Sequence, residues 1–242
     1  MSLLIEAKQL YRYYGEHCAV DNVSFSLRKG QVLGFLGTNG AGKTTTMSML
    51  CGNLAPSSGE ISINGIDLLD NPVAAKQFIG YLPDQPPLYK DLTVTEFLRY
   101  VAQLHRVPSA EISNAVAVAQ QRCGLVEVAD RLCGNLSKGY QQRVGIAQAI
   151  LHNPPVIVLD EPTVGLDPIQ IKEIRSLIKE LGVNHGVILS THILSEVQET
   201  CTDVQIIHQG KLVLSQSMAE LGLDKRSLED IFISLSQKDK QH

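Results

Sequence analysis

The chain has 242 residues, 44% of them hydrophobic and 19% charged, enough to bury a substantial core and ordinary for a globular protein. Its net charge of −4 lacks the basic footprint of a general nucleic-acid binder, so no nucleic-acid partner is expected. No apolar run reaches the roughly 18–20 residues that cross a bilayer, MSLLIEAKQL does not read as a secretory signal, and five scattered cysteines without a CxxC pair point to reduced cytosolic thiols.

The first 36 residues hold three short apolar stretches, Leu3–Ile5, Val20–Leu27 and Val32–Leu36, with turns at Gly15 and Lys29-Gly30. They predict a β-rich N-terminal layer wrapped on a core. Tyr11, Tyr13 and Tyr14 precede Gly15, and an aromatic there either stacks on a purine ring or packs into the sheet. Residues 31–54, QVLGFLGTNGAGKTTTMSMLCGNL, read as strand, glycine-rich turn and helix. GEISINGIDLL (59–69) predicts a strand and turn, and FIGYL (78–82) a short buried strand ending at Pro83. From there to about residue 151 the segments TVTEFLRYVAQLH, SAEISNAVAVAQQRC and YQQRVGIAQAIL are amphipathic or alanine-rich, which predicts a helical insertion. Strand character returns at 156–159, followed by a helix at 169–181, a strand at 186–189, a helix at 193–201 and strands at 204–208 and 211–214. Such alternation implies a largely parallel sheet covered on both faces. Residues 227–235 predict a short amphipathic helix, and 236–242 a frayed end.

The chemistry begins at residues 37–44, which fit G-x-x-x-x-G-K-T. Gly37, Thr38, Asn39, Gly40, Ala41 and Gly42 let the backbone turn tightly, so that successive N–H groups form an anion nest. The helix opened by Lys43, Thr44 and Thr45 adds partial positive charge at the same place. Lys43 reaches outer phosphates as a compact cation, and the Thr44 hydroxyl suits Mg²⁺, a hard ion that prefers oxygen. Farther on, VIVLDE ends a buried strand with two carboxylates, where open α/β sheets bind ligands. Asp160 suits the Mg²⁺ shell, and Glu161 is placed to act as general base on an attacking water. The helical insertion between the two motifs and the absence of an Asn-Lys-x-Asp guanine-reading motif disfavour a small GTPase.

Three further pieces follow in order: LSKGYQQ (136–142) opening an apolar-striped helix, VGLD (164–167), and LSTH (189–192) after the last core strand. With them the chain resembles, over essentially its whole length, the ATP-binding subunit of an ABC transporter. GTNGAGKT is similar to Walker A, LSKGYQQ to the signature, VIVLDE to Walker B, VGLD to the D-loop and LSTH to the H-loop. The resemblance implies an α/β P-loop NTPase fold with a RecA-like core of mainly parallel sheet, an N-terminal antiparallel β subdomain and an inserted α-helical subdomain. The single ATPase domain of 1–242 would divide into a core with β subdomain (about 1–84 and 152–216), a helical subdomain (about 85–151) and a short helical tail (217–242). It further implies ATP and Mg²⁺, with Tyr14 on adenine, Thr44 and Asp160 at the metal, Glu161 polarising water and His192 at the γ-phosphate. Ser137, Lys138, Gly139 and Tyr140 would face the ATP of a second subunit in a head-to-tail homodimer, with Asp167 at the dimer contact. LSKGYQQRVGIAQAIL, THILSEVQ and LEDIF are most similar to ATPases serving exporters with a separately encoded integral-membrane permease. That implies a cytoplasmic protein, peripheral on the cytoplasmic face of the membrane.

Two departures matter. Lys138 replaces the first glycine and Tyr140 the glutamine of the usual L-S-G-G-Q, and Asp84, followed by Gln85, stands where the family places a metal-sensing glutamine. Either residue can take that role. The departures keep open a degenerate module that only senses ATP. A soluble ABC-type ATPase is the other rival, although the long coiled coil or paired cassettes usual for those proteins are missing.

Overall fold

A computed structural model describes residues 2–221 and 228–238. The positions after 238, and Ser227 at the expected start of the tail helix, lie outside the described residues. The chain runs through β1 (Leu3–Tyr14), β2 (His17–Arg28), β3 (Val32–Leu36), α1 (Lys43–Leu50), β4 (Ser58–Ile63), β5 (Ile66–Asp67), α2 (Pro72–Lys76) and β6 (Ile79–Leu82). It continues through α3 (Val94–Leu104), α4 (Ile112–Arg122), α5 (Lys138–Ile150), β7 (Val156–Asp160), α6 (Pro168–Asn184) and β8 (Gly186–Thr191). The last elements are α7 (Leu194–Thr200), β9 (Asp203–His208), β10 (Lys211–Ser217), α8 (Met218–Leu221) and α9 (Leu228–Lys238).

Two sheets carry the fold. The first, ordered β2-β1-β4-β5, is antiparallel. Its inward face buries Ile5, Leu10, Val23, Ile61 and Ile63, while much of the other face stays polar. That one-sided burial explains why only the apolar stretches of the two 12-residue strands β1 and β2 were conspicuous in the sequence. The second sheet, ordered β10-β9-β3-β8-β7-β6, is parallel except for β10, which pairs antiparallel with β9. β3, β7 and β8 are buried at every residue, as expected for strands covered on both faces. One apolar cluster lies between the two sheets and includes Phe35, Met47, Leu50 and Ile188. A second runs without a break from Ile157, Leu159 and Leu189 through Val144 and Ile146 into Phe97, Leu98 and Val116 of the helical arm, and a third, smaller one holds Leu36, Val197, Val204 and Ile206.

The arm is anchored by local chemistry and by α5. Thr93 caps α3 reciprocally with Glu96: Thr93 Oγ1 accepts from Glu96 N at 3.2 Å and Thr93 N donates to Glu96 Oε2 at 2.9 Å. Helix α5 begins in the arm and ends on the parallel sheet. A β-carbon on Gly80 of β6 would overlap the Ala149 carbonyl, and one on Gly145 would reach within 2.5 Å of Leu82 Cδ1. Helix α2 has no counterpart in the sequence reading, although Asn71-Pro72 is a start signal: the Asn71 side chain accepts from Ala74 N, and Pro72 occupies the first turn.

Candidate functional site

The carboxyl ends of β3, β7 and β8 converge on one cleft of about 570 Å³, lined by Tyr14, His17, Ala19, Asn39, Gly40, Gly42, Lys43, Thr44, Thr45, Asp84, Glu161, Val164 and His192. The loop after β3 is fixed at both ends. Gly37 N donates to the Thr191 carbonyl at 3.3 Å, and a β-carbon on Gly37 would sit 2.5 Å from the Ile207 carbonyl oxygen. Gly42, at the N-cap of α1, has φ 105°, a left-handed conformation that glycine adopts without a steric penalty.

Lys43 is 6% exposed, and a cation so buried requires partners. Its ammonium donates to the carbonyls of Gly37 (2.8 Å) and Thr38 (3.1 Å) and lies 3.3 Å from Glu161 Oε1. The other carboxylate oxygen, Oε2, is 2.9 Å from His192 Nδ1. Glu161 thus joins the loop lysine to the histidine after β8. Its backbone is unusual, with φ 50° in the left-handed region, and its N–H donates to the Ser190 carbonyl at 3.0 Å. A long side chain held there marks strained backbone, a condition that clusters at functional positions.

Asp160 lies behind this trio and is fully buried. Burial pushes its carboxyl above the usual range, while the Ser190 hydrogen bond and the nearby Thr44 hydroxyl pull the other way. Ser190 Oγ donates to Oδ1 at 2.6 Å, and Oδ2 has no hydrogen-bond partner among the described residues. An orphaned carboxylate oxygen beside a threonine hydroxyl is a donor set that fits Mg²⁺. Among the described residues no three His, Cys, Asp or Glu side chains form a metal cage of their own. Mg²⁺ commonly takes only one or two carboxylates and completes its shell with phosphates and water.

Ser137, Lys138, Gly139 and Tyr140 do not line the cleft. Ser137 is the N-cap of α5, its Oγ accepting from Tyr140 N at 3.5 Å. Lys138 is exposed, and its ammonium lies over the D-loop glycine, where a β-carbon on Gly165 would collide with it. Gly139 is buried against Gln170. Asp167 caps α6: its Oδ1 accepts from Ile169 N and Gln170 N, both at 3.0 Å. The LSKG segment and Gly165–Asp167 therefore form one surface beside the cleft, with Val164 reaching into its lining.

Residues 20–164, more than half of the chain, match the family described as ABC transporter. The chain belongs to the ABC transporter family. It is 39% identical, over 99% of its own length and 78% of the relative's, to the bacitracin transport ATP-binding protein BcrA of Bacillus licheniformis. Among solved structures it resembles an ATP-binding subunit of an ABC transporter, with TM-score 0.87, 32% identity, and 96% of this chain and 99% of that one covered. It also resembles the dimeric structure of MJ0796, a bacterial ABC transporter cassette, with TM-score 0.82, 25% identity, and coverage of 89% and 99%. The chain is accordingly an ATP-binding, ATP-hydrolysing P-loop cassette of that family.

The cleft of this ABC cassette brings together the loop residues, Glu161, His192, Tyr14 and Asp84. Tyr14 is half exposed, with the Arg12 guanidinium 4.9 Å from its ring centroid. Asp84 lines the cleft and Gln85 is not among the lining residues. Sequence reasoning missed His17 and Ala19, and placed Val164 only in the D-loop motif. His17 pairs with Tyr14 across the β1–β2 hairpin, so the register that aims Tyr14 also aims His17. The tyrosine-glycine turn signal, carried two residues onward, would have found it.

Proposed function

We propose that this chain is the motor subunit of a membrane exporter, a nucleotide-sandwiched homodimer coupled to a separately encoded integral-membrane permease at the cytoplasmic face. The observation that carries the reading is Glu161, held between Lys43 and His192 at the mouth of a phosphate-binding loop. The transport role is supported by likeness to a relative named for bacitracin transport. The dimer is supported by a relative solved as a dimeric cassette and by the position of Ser137 and Gly139 outside their own chain's cleft. Among the described residues no helix is long and apolar enough to cross a membrane, so a permease would supply the spans.

In this reading the loop N–H groups and Lys43 bind the triphosphate, and Tyr14 stacks on the adenine. Lys43 exchanges its Glu161 contact for phosphate oxygens, which leaves that carboxylate to accept a proton from the attacking water. His192 orients Glu161 through the 2.9 Å contact and faces the terminal phosphate. Thr44, Asp160 and Asp84 would hold Mg²⁺, which supplies charge neutralisation on the phosphates. Ser137, Lys138, Gly139 and Tyr140 complete the partner's site, and Asp167 lies at the contact between subunits. The helical arm and the Pro83–Asp91 loop form the surface offered to the permease.

The reading is tested by phosphate release with and without Mg²⁺, and by sizing the Glu161→Gln protein with and without ATP. Mg²⁺-dependent release and an ATP-dependent dimer are expected. Absence of turnover would leave only an ATP-sensing module, and a monomer at saturating ATP would overturn the sandwich. For the metal register, Asp84→Ala should shift the Mg²⁺ dependence while Gln85→Ala leaves it in place; the reverse would assign the role to Gln85.

A further inference from the structure

Behind the Glu161–His192 pair lies a second carboxylate. Glu196, in the first turn of α7, is 1% exposed. Its two oxygens are divided between two segments: Thr163 Oγ1 donates to Oε1, and Thr191 Oγ1 donates to Oε2 at 2.6 Å. Thr163 stands two residues after Glu161, and Thr191 one residue before His192. Thr191 Oγ1 also accepts from Ile193 N at 3.0 Å, so the residues on both sides of His192 are fastened to the same hydroxyl. The Thr163 carbonyl accepts from Leu166 N at 3.2 Å, which starts the D-loop turn.

We propose that Glu196 is a positioning residue for hydrolysis, its buried carboxylate clamping the turn after Glu161 to the segment that carries His192. The chemistry requires an anion that accepts twice. A carboxylate takes both hydroxyl protons at once, whereas an amide offers one acceptor oxygen and two donor hydrogens. An aspartate is one methylene shorter and does not span both hydroxyls. Leaving a buried polar group unsatisfied is costly, so the clamp holds both segments rather than either alone. Because Glu161 sits in strained backbone, its placement depends on such outside restraint. The D-loop begins on the same hydroxyl-bearing residue, so a displacement at the subunit contact reaches the water-activating carboxylate through Thr163. This inference rests on the assignment of Glu161 as the base.

The experiment compares parent, Glu196→Gln, Thr191→Val, Thr191→Ser and Glu161→Gln for ATP affinity, kcat and melting temperature, with residual turnover followed by labelled ATP. Glu196→Gln and Thr191→Val should lower kcat by roughly 10- to 100-fold, the scale of a misplaced reacting group, with ATP affinity within about twofold of the parent. Thr191→Ser keeps the hydroxyl and should restore the rate. In the Glu161→Gln background Glu196→Gln should cost little more, because the clamp acts by placing that carboxylate. Parental kcat in Thr191→Val or Glu196→Gln, or a full additional loss in the Glu161→Gln background, would overturn the clamp. If Glu196→Gln does not fold, the Thr191 pair decides alone. A parental rate in Glu161→Gln would sink the base assignment, whereas an inactive Glu161→Gln beside a fully active Glu196→Gln would sink only the clamp.

Discussion

Two lysines stand beside glycine-rich segments, and their surroundings differ in kind. Lys43 is 6% exposed and fixed by two carbonyls and the Glu161 carboxylate. Lys138 is exposed, draped over Gly165, on the surface that LSKG and Gly165–Asp167 share. The first environment is closed by one chain: loop, strand ends and α1 supply every contact. The second offers a helix N-terminus and a cation on an open face. The contrast separates what this cassette closes within one chain, a buried ammonium in its ATP-binding cleft, from what it leaves on an open face.

The largest effect should come from the closed site. Glu161→Gln keeps the shape and removes the proposed base, so turnover should fall roughly 10²–10⁴-fold, with ATP still bound in a filter or fluorescence assay. Turnover at the parent rate would break the comparison at its root. Lys43→Ala removes charge-assisted bonds worth roughly 1.5–3 kcal/mol each. It should therefore weaken ATP binding itself by one to two orders of magnitude, measured by calorimetry.

Away from both lysines, the His105 and His152 rings stack 3.8 Å apart. Burial, and then the neighbouring His105, bring His152 down to about 4, and burial also lowers His105. Between the ordinary imidazole value near 6.5 and about 4, the unfolded chain takes up a proton that the folded one refuses. Stability should therefore fall as pH falls through that window, by at most a few kcal/mol. Melting curves of the parent and His152→Gln should diverge at neutral pH and converge toward pH 4. A constant gap would show that the histidine contributes packing alone. This sets the pH range in which the two lysine sites can be compared.

The smallest effect belongs to Lys138. Exposed charges contribute about 0–1 kcal/mol, so Lys138→Gly in the Glu161→Gln background should change ATP-driven dimerisation by a factor of about five or less. The difference should shrink as salt rises, since a screened contact weakens. Salt curves that run parallel would show that the ammonium only covers Gly165.

Much of the closed site was legible because it is local. G-x-x-x-x-G-K-T places loop, lysine and helix within eight consecutive residues, and the apolar run before it marks a buried strand. VIVLDE was readable for the same reason. The clamp by Glu196 was not, because Thr163 is 33 residues away and a threonine after a proline carries no periodic signal. The contact of Lys138 with Gly165 was not legible either, because it is set by the tertiary approach of α5 to the D-loop. The division of the arm was only partly visible in composition, since α5 reads as one helix yet begins on the arm and finishes against β6.

The absence of a side chain at Gly80 has a mechanical consequence. With the last turn of α5 pressed onto bare strand backbone, that end of the helix has no room to translate toward the sheet and can only pivot. Thirteen residues at 1.5 Å each make a lever about 20 Å long. A turn of about 10° at the pinned end then carries the Ser137 end through about 3.5 Å, the length of a long hydrogen bond. Angular error at β6 is thereby magnified at the far tip, and the tolerance on the strand-side contact is the tighter of the two.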